Sequence, residues 1–484
     1  MWHAMQAIVI DDGVSNDVFE IDSLVFDLEV TEHCEVQPRI ATVNQRSHGT
    51  ICAAIIRHYN PNVRIGSIKI LQSETRVGNI EQLIAALHWC CQHNIKLIHL
   101  SAGTILWVDF PKVRESISAL HHSGCIIVAA YHNRQVYTLP AAHPYVIGVQ
   151  CRGDFVNSQC EWEYENGFNP CIVATGKHLL TDKEGTASLT DMMNSYAAPL
   201  ITAKAARLLD EYSDASLLDI KRLLVPETLV VTNQVVSLDF FHTAVFAGFT
   251  KDAVHWSCLP YEAKKMFSAT AQINDIATKD TCVILNDENM TEQEFAQICT
   301  QFQSEQYAGI AYVGTNAGHR QRLEMCRTFV WSLDAYNKAF FAVTKSQDDI
   351  EIPVICIYGD TNIILPFVQA INELFSCDEY YAKSVGQFEY AYLYGFEFIS
   401  DTIRRKDFLL RIGQKYDCDI ILFAMDIGVC GCTGEAFNGA DINVVIDGYC
   451  SIPSTDDVPC ISVDSKNERH CIIAYEQLLR YLTA

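Results

Sequence analysis

A chain of 484 residues exceeds what one ordinary hydrophobic core supports, so two or three domains are expected. Hydrophobic residues make up 49% of it, enough for a well-buried core without disulfide or metal staples. The formal net charge of -24 weighs against nucleic acid or an anionic membrane surface as partner and suits a soluble protein that handles neutral or basic peptides. In chain order, residues 6–10 form an apolar run closed by an Asp-Gly turn signal, which predicts a buried parallel strand. Helical spacing over 50–59 is followed by a strand-like run at 65–70, a helix at 80–93 and a strand at 96–100. A helix at 113–123, strands at 125–130 and 145–149, and a helix at 196–212 continue the alternation. This is the pattern of an α/β protein built on a doubly wound, mostly parallel sheet, whose ligands bind at the carboxyl ends of strands. A further helix at 215–224 precedes Pro226 and a β-rich stretch at 228–238, which places the end of the first domain near 225. Beyond it, strands are expected at 281–285, 309–313 and 340–343. After an acidic linker at 347–351 come a strand at 353–358, the turn Gly359-Asp360-Thr361-Asn362 and a helix to Phe375. Strands at 419–425, 442–446 and 458–463 and a helix at 474–482 close the chain. The expected layout is 1–225, an α/β unit over 226–350, and a Rossmann-like α/β unit over 351–484.

Three strings place a reactive side chain at the join of an apolar element: Ala7 to Gly13 (AIVIDDG), Ser47 to Thr50 (SHGT) and Asn194 to Pro199 (NSYAAP). Acyl transfer by a serine needs a base to take the hydroxyl proton and a carboxylate to orient that base, and Asp11, His48 and Ser195 supply the three groups. The chain order Asp, His, Ser is one of the few on which this triad is built. Gly49 lets a helix start close to the sheet, and a histidine at a helix N-terminus has its neutral form favoured, as a general base requires. Ser195 opens a helix whose N-terminus stabilises negative charge developing nearby, with Pro199 expected in the first turn.

Other signals are weaker. Twenty cysteines are spread through the chain, many in apolar runs (Cys52, Cys125, Cys282, Cys356) where a thiol behaves as a small hydrophobe; a reducing cytoplasm is expected. The start of the chain has no basic stretch followed by an apolar run and cleavage site, and no run approaches membrane-spanning length. Gly359-Asp360-Thr361-Asn362 lacks the Gly-Lys-[Ser/Thr] ending of a phosphate loop and is expected to be a plain strand-to-helix turn. Cys430, Cys432, Cys450 and Cys460 do not have zinc-site spacing, so neither a metal nor an organic cofactor is expected.

The ordered set of motifs resembles the subtilisin-like serine proteases over about the first 225 residues. Asn94 to Gly103 resembles the strand and Ser-x-Gly loop that line the family's substrate cleft, Cys125 to Asn133 the strand carrying its oxyanion asparagine, and Ile172 to Gly176 the segment before its serine loop. The resemblance implies that His48 takes the Ser195 proton, Asp11 orients His48, and Asn133 with the Ser195 N–H holds the oxyanion. It further implies that Ser101, Ala102 and Gly103 receive substrate as an added β-strand. Two places depart from the family pattern: Met193-Asn194 stands where Gly-Thr is usual, and Tyr131-His132 where Ala-Gly is usual. A Gly-Asn-Ser variant is also familiar, so at the first place Met193 is the unusual residue, and the second bears on the oxyanion geometry and the S1 pocket. Secreted members carry a signal and a pro-segment; a first strand near Gln6 leaves room for neither, so an intracellular, directly folded branch is expected.

The layout also resembles proteases of bacterial systems that mature ribosomally made peptides. It implies a precursor peptide cleaved between leader and core as substrate, with the C-terminal region as the place for leader recognition. Two other classes remain open on the residues: an inactive relative that binds peptides without cutting them, and a nucleotide-using C-terminal enzyme with an accessory protease domain. The sequence leaves the oligomeric state open.

Overall fold

The computed structural model describes residues 7–21, 24–40, 46–72, 75, 77–155, 158–163, 168–225, 232–267, 279–288, 290–301, 307–341, 350–399, 405–426, 437, 439–448 and 458–483. The chain divides into two units, one of Met1–Phe240, Cys299–Ile310 and Asn316–Ala339, the other of Phe241–Ile298, Ala311–Thr315 and Phe340–Ala484.

The first unit is built on a nine-stranded sheet. Its strands are β1 (Ala7–Asp11), β2 (Asp27–Val30), β3 (Val36–Pro38), β4 (Ile65–Lys69), β5 (Leu97–Leu100), β6 (Ile126–Ala130), β7 (Val146–Cys151), β8 (Cys160–Glu163) and β9 (Cys171–Ala174), in the spatial order β3-β2-β4-β1-β5-β6-β7-β9-β8. All neighbours pair in parallel except the two edge strands β3 and β8, which run antiparallel. β1, β5, β6 and β9 are buried along their whole length, because helices cover both faces, and such strands read as unbroken apolar runs. A small hairpin, β10 (Leu179–Thr181) and β11 (Ala187–Leu189), follows.

The helices of this unit are α1 (His48–Tyr59), α2 (Ile80–Gln92), α3 (Phe110–His122), α4 (Asn194–Glu211) and α5 (Leu217–Leu224). β4 and β5 flank β1 on its two sides. α1 packs against β1 and α4, and α2 packs against α3. Asp11 closes β1 at its carboxyl end, where ligands of such sheets bind. α4 lies against α1 and against β5, β6 and β7. Its fully buried Ala197, Ala198, Ala203, Ala205 and Ala206 have no bulk to hold it away from them.

Later elements are β12 (Gln234–Val235), β13 (Thr243–Ala247), β14 (Glu262–Phe267), β15 (Thr281–Leu285), α6 (Glu292–Gln301), β16 (Gly309–Tyr312), α7 (Ala317–Glu324), β17 (Phe329–Ser332) and α8 (Leu333–Phe341). Within the first unit β12 pairs with β17, and within the second β13 pairs with β14 and β15, all in parallel. The second unit also holds an all-parallel six-stranded sheet. It comprises β18 (Val354–Gly359), β19 (Ala382–Gln387), β20 (Glu397–Phe398), β21 (Ile420–Asp426), β22 (Ile442–Ile446) and β23 (Cys460–Val463), with helices α9 (Thr361–Cys377), α10 (Arg405–Tyr416) and α11 (His470–Leu482). The architecture is α/β with mostly parallel sheets, as expected from the alternation.

Two expectations need correction. Residues 340 and 341 belong to α8 rather than to a strand over 340–343. Buried Ala335, Tyr336 and Ala339 follow helical spacing, and the short apolar run after them could not by itself distinguish strand from helix. Pro199 lies in the second turn of its helix, not the first, because α4 starts at Asn194. The Gly359–Asn362 segment is a plain strand-to-helix turn, with Asp360 as N-cap accepting the Asn362 N–H. Cys430, Cys432 and Cys450 lie outside the described residues. Among the described residues no helix is long and apolar enough to cross a membrane.

Candidate active site

The end of β1 places Asp11 and Asp12 under the first turn of α1, and the two carboxylates do different jobs. Asp11 Oδ2 lies 2.9 Å from His48 Nδ1, and its Oδ1 accepts the Asp12 N–H at 2.8 Å. Asp12 turns the other way and takes the helix's unpaired donors: Oδ2 accepts His48 N–H at 3.1 Å and Oδ1 accepts Gly49 N–H at 2.8 Å. Burial, then repulsion from Asp11, raises the Asp12 pKa against the lowering effect of those donors. Ser47 is the N-cap, accepting Thr50 N–H and donating to the Gly13 carbonyl at 2.7 Å. His48 is therefore not spent on capping. Its ring is 6% exposed and Asp11 is 1% exposed. Burial disfavours the imidazolium, but Cys52 and Asp11 favour it more, so the His48 pKa stands above the usual histidine value, which corrects the expectation that the helix start favours the neutral ring.

Ser195 is the second residue of α4. The N-cap position falls to Met193, whose side chain makes no capping bond, so the serine hydroxyl is not a cap. Pro199 has no N–H for the Ser195 carbonyl four residues before it. That carbonyl instead lies 3.2 Å from Ser101 Oγ and 3.6 Å from Cys52 Sγ, both able to donate to it. The proline thus frees a backbone oxygen that ties the start of α4 to the loop after β5 and to α1. Gly176 lets this loop approach closely: a Cβ there would sit 2.8 Å from the Met193 carbonyl oxygen and 2.9 Å from Cys151 Sγ.

Tyr196, the next residue, stacks on the His48 imidazole with ring centroids 5.2 Å apart. Below the Ser101 loop, His99 is fully buried, and burial lowers its pKa to about 3, so the ring is neutral. Thr202 donates its hydroxyl to Ala198 O, so it accepts the Nδ1 proton of His99 at 2.9 Å. Nε2 of His99 is then an acceptor 2.9 Å from Ser101 Oγ, and it competes with the Ser195 carbonyl for the single Ser101 hydroxyl proton.

The loop after β6 carries Tyr131, His132 and Asn133. Asn133 Oδ1 accepts the Asn194 N–H at 3.1 Å, which leaves its Nδ2 as the group to offer a ligand. The Asn194 side chain donates to the Tyr131 and His132 carbonyls at 3.1 and 3.2 Å and accepts the Cys151 N–H at 2.7 Å.

A cleft of about 730 Å³ is lined by Asp11, His48, Ser101, Ala102, Gly103, Asn133 and Ser195, with Leu83, Ile105 and Leu106 among its apolar wall. All seven residues singled out from the sequence therefore come to one cavity. Gly103 has its reason in the geometry, since a Cβ there would lie 2.6 Å from the Leu139 carbonyl oxygen. Sequence reasoning missed Cys52, His99, Tyr196 and the bonding of Asn194. Among the described residues, the group of side chains close enough to share a metal ion is Asp11, His48 and Cys52, with ligand atoms within 4.8 Å. Burial, partly offset by His48, raises the Cys52 pKa.

Residues 8–245 match the model of the subtilase family. No curated protein matches the chain in sequence. Solved structures similar to it include a cold-adapted subtilisin-like serine proteinase, with 23% identity over 44% of this chain and 78% of the other and a TM-score of 0.35. A lanthipeptide protease is similar at 16% identity over 47% of this chain and 81% of the other, with a TM-score of 0.37. An epidermin leader peptide processing serine protease from Staphylococcus aureus is similar at 16% identity over 44% and 67%, with a TM-score of 0.34.

Proposed function

We propose, from the premise that residues 8–245 belong to the subtilase family of serine endopeptidases, that this chain hydrolyses peptide bonds through an Asp11–His48–Ser195 triad. The observation that carries the reading is the 2.9 Å bond between His48 Nδ1 and a buried Asp11 carboxylate, at a cleft that Ser195 also lines. In the neutral ring that acts as base, that bond keeps the proton on Nδ1 and leaves Nε2 as the acceptor. Ser195 Oγ attacks the scissile carbonyl as His48 Nε2 takes its proton. The carbonyl electrons move onto an oxyanion held by Asn133 Nδ2 and the Ser195 N–H. Collapse breaks the C–N bond, and the proton on His48 leaves with the amine. Water then repeats the sequence on the acyl-enzyme, again with His48 as base. Labelling by a fluorophosphonate probe tests this: the wild type should label and Ser195→Ala should not. Equal labelling of both, or of neither, rejects the triad.

The finer reading is that the substrate is a ribosomally made precursor peptide, cut between leader and core, with residues 351–484 recognising the leader and the enzyme acting in the cytoplasm. Its support is the layout of a subtilisin-like region followed by further α/β sequence. Mass spectrometry of a precursor peptide encoded beside this protein, after incubation with it, should show one cut at the leader–core junction. An intact peptide in the presence of a probe-reactive enzyme rejects this substrate and keeps the triad.

A further inference from the structure

We propose that Asn194 is a positioning residue for the oxyanion site, acting through Asn133; the proposal rests on the triad reading above. Asn194 is buried, 7% exposed, and makes four hydrogen bonds to two separate segments. Its Nδ2 reaches the Tyr131 and His132 carbonyls in the loop after β6, its Oδ1 takes the Cys151 N–H at the end of β7, and its own N–H holds Asn133 Oδ1. The amide orientation is fixed by these partners: two carbonyls demand donors, and an N–H demands an acceptor.

The two groups that would hold the oxyanion sit on different elements, Asn133 Nδ2 on a loop and the Ser195 N–H on a helix. Asn194 is covalently joined to one and hydrogen-bonded to the other. Holding Asn133 by its oxygen also rotates the Nδ2 branch away from the protein, the direction in which an oxyanion donor must point. The Tyr131 and His132 carbonyls face the start of α4, and a residue with two N–H donors satisfies both. A serine or threonine at 194 brings a single O–H.

The test is a double-mutant cycle read with a fluorophosphonate, whose phosphoryl oxygen occupies the oxyanion position. Asn194→Asp keeps shape and acceptor but replaces the one NH₂ group that donates to both carbonyls by an oxygen that repels them. Loss of an oxyanion donor costs about 100-fold, so Asn133→Ala and Asn194→Asp should each lower the maximal inactivation rate by about that factor. The half-saturating probe concentration should stay within about threefold, which separates a transition-state effect from lost binding. In the Asn133→Ala background, Asn194→Asp should cost no more than about threefold further, because the group it positions is gone. Should Asn194→Asp fail to fold, Asn194→Ser, which keeps one donor, should lose about tenfold in the wild-type background and nothing in the Asn133→Ala background. Multiplying losses, or an Asn194 variant as fast as wild type, overturn this proposal while leaving the triad intact. A wild type that does not label overturns the triad and this proposal together.

Discussion

Replacing Gly49 by alanine separates two physical effects that predict opposite signs. Gly49 is the second residue of α1, and on helix propensity alone alanine should stabilise the protein by up to about 1 kcal/mol. The surroundings argue otherwise. A Cβ at this position would lie 2.7 Å from the Gly13 carbonyl oxygen and 3.0 Å from Asp11 Cβ, where ordinary contact begins near 3.4 Å. Both are fixed atoms, one of backbone and one at the end of the fully buried β1. The first turn of α1 must then retreat by about 0.7 Å, the shortfall in the tighter contact. The Gly49 N–H to Asp12 bond, now 2.8 Å, would reach about 3.5 Å, the edge of hydrogen bonding, and the 2.9 Å His48–Asp11 bond would lengthen similarly. Overpacking costs about 1–3 kcal/mol, and weakening the carboxylate-held helix start adds about 1 more. Set against the propensity gain, the net is a loss of about 1–3 kcal/mol, read as a drop of roughly 2–12 °C in melting temperature. A displacement approaching 1 Å in the base should slow fluorophosphonate labelling about 100-fold. Thermal melting and labelling rate are measured on the same preparation. A variant that melts at or above the wild-type temperature and labels within about threefold of its rate would show that the helix start is not held against β1 as described.

Three further outcomes follow from the same geometry. Asp11→Asn should slow labelling about 10⁴-fold with little change in melting temperature: the Asp12 N–H keeps the amide oxygen, so the NH₂ group faces His48 and forces the proton onto Nε2; labelling near the wild-type rate would contradict this. Asp12 has a raised pKa, so its contribution to stability is present at low pH and is lost as pH rises from the ordinary carboxylate range through its raised value. Asp12→Asn should flatten that part of the melting temperature against pH, and a profile parallel to wild type would count against the assignment. Lys221 is buried with its Nζ 2.6 Å from the Pro144 carbonyl, and burial lowers its pKa to about 7. Above that value the folded state has released a proton that the unfolded chain keeps to about pH 10, so stability should rise with pH across this window by a few kcal/mol. Lys221→Met should abolish the rise; an unchanged slope in chemical denaturation would refute it.

What the sequence disclosed and what it hid differ in a regular way. β1, β5 and β6 were readable because burial on both faces leaves an unbroken apolar run, while β9 entered only through the family resemblance. The edge pair β2 and β3, with the mixed burial of Asp27–Val30 and the largely exposed Val36–Pro38, left no such run, and neither did the exposed hairpin β10–β11. α6, over Glu292–Gln301, passed unread because its polar composition is shared with loops. The same division holds at the site. Asp11, His48, Ser195 and Asn133, the groups of the proposed triad and oxyanion site, were legible because the atoms proposed to act are side-chain groups set beside strand ends and helix starts. Asn194, Asp12 and Pro199 were legible only as residues, since their partners are main-chain atoms: Tyr131 and His132 carbonyls, His48 and Gly49 N–H groups, the Ser195 carbonyl. Every residue owns such atoms, so no pattern of residue types can announce which will meet. Sequence therefore names the groups that react more readily than those that hold them in place. The holding groups decide whether a cleft with the right side chains also has them within the fraction of an ångström that catalysis requires.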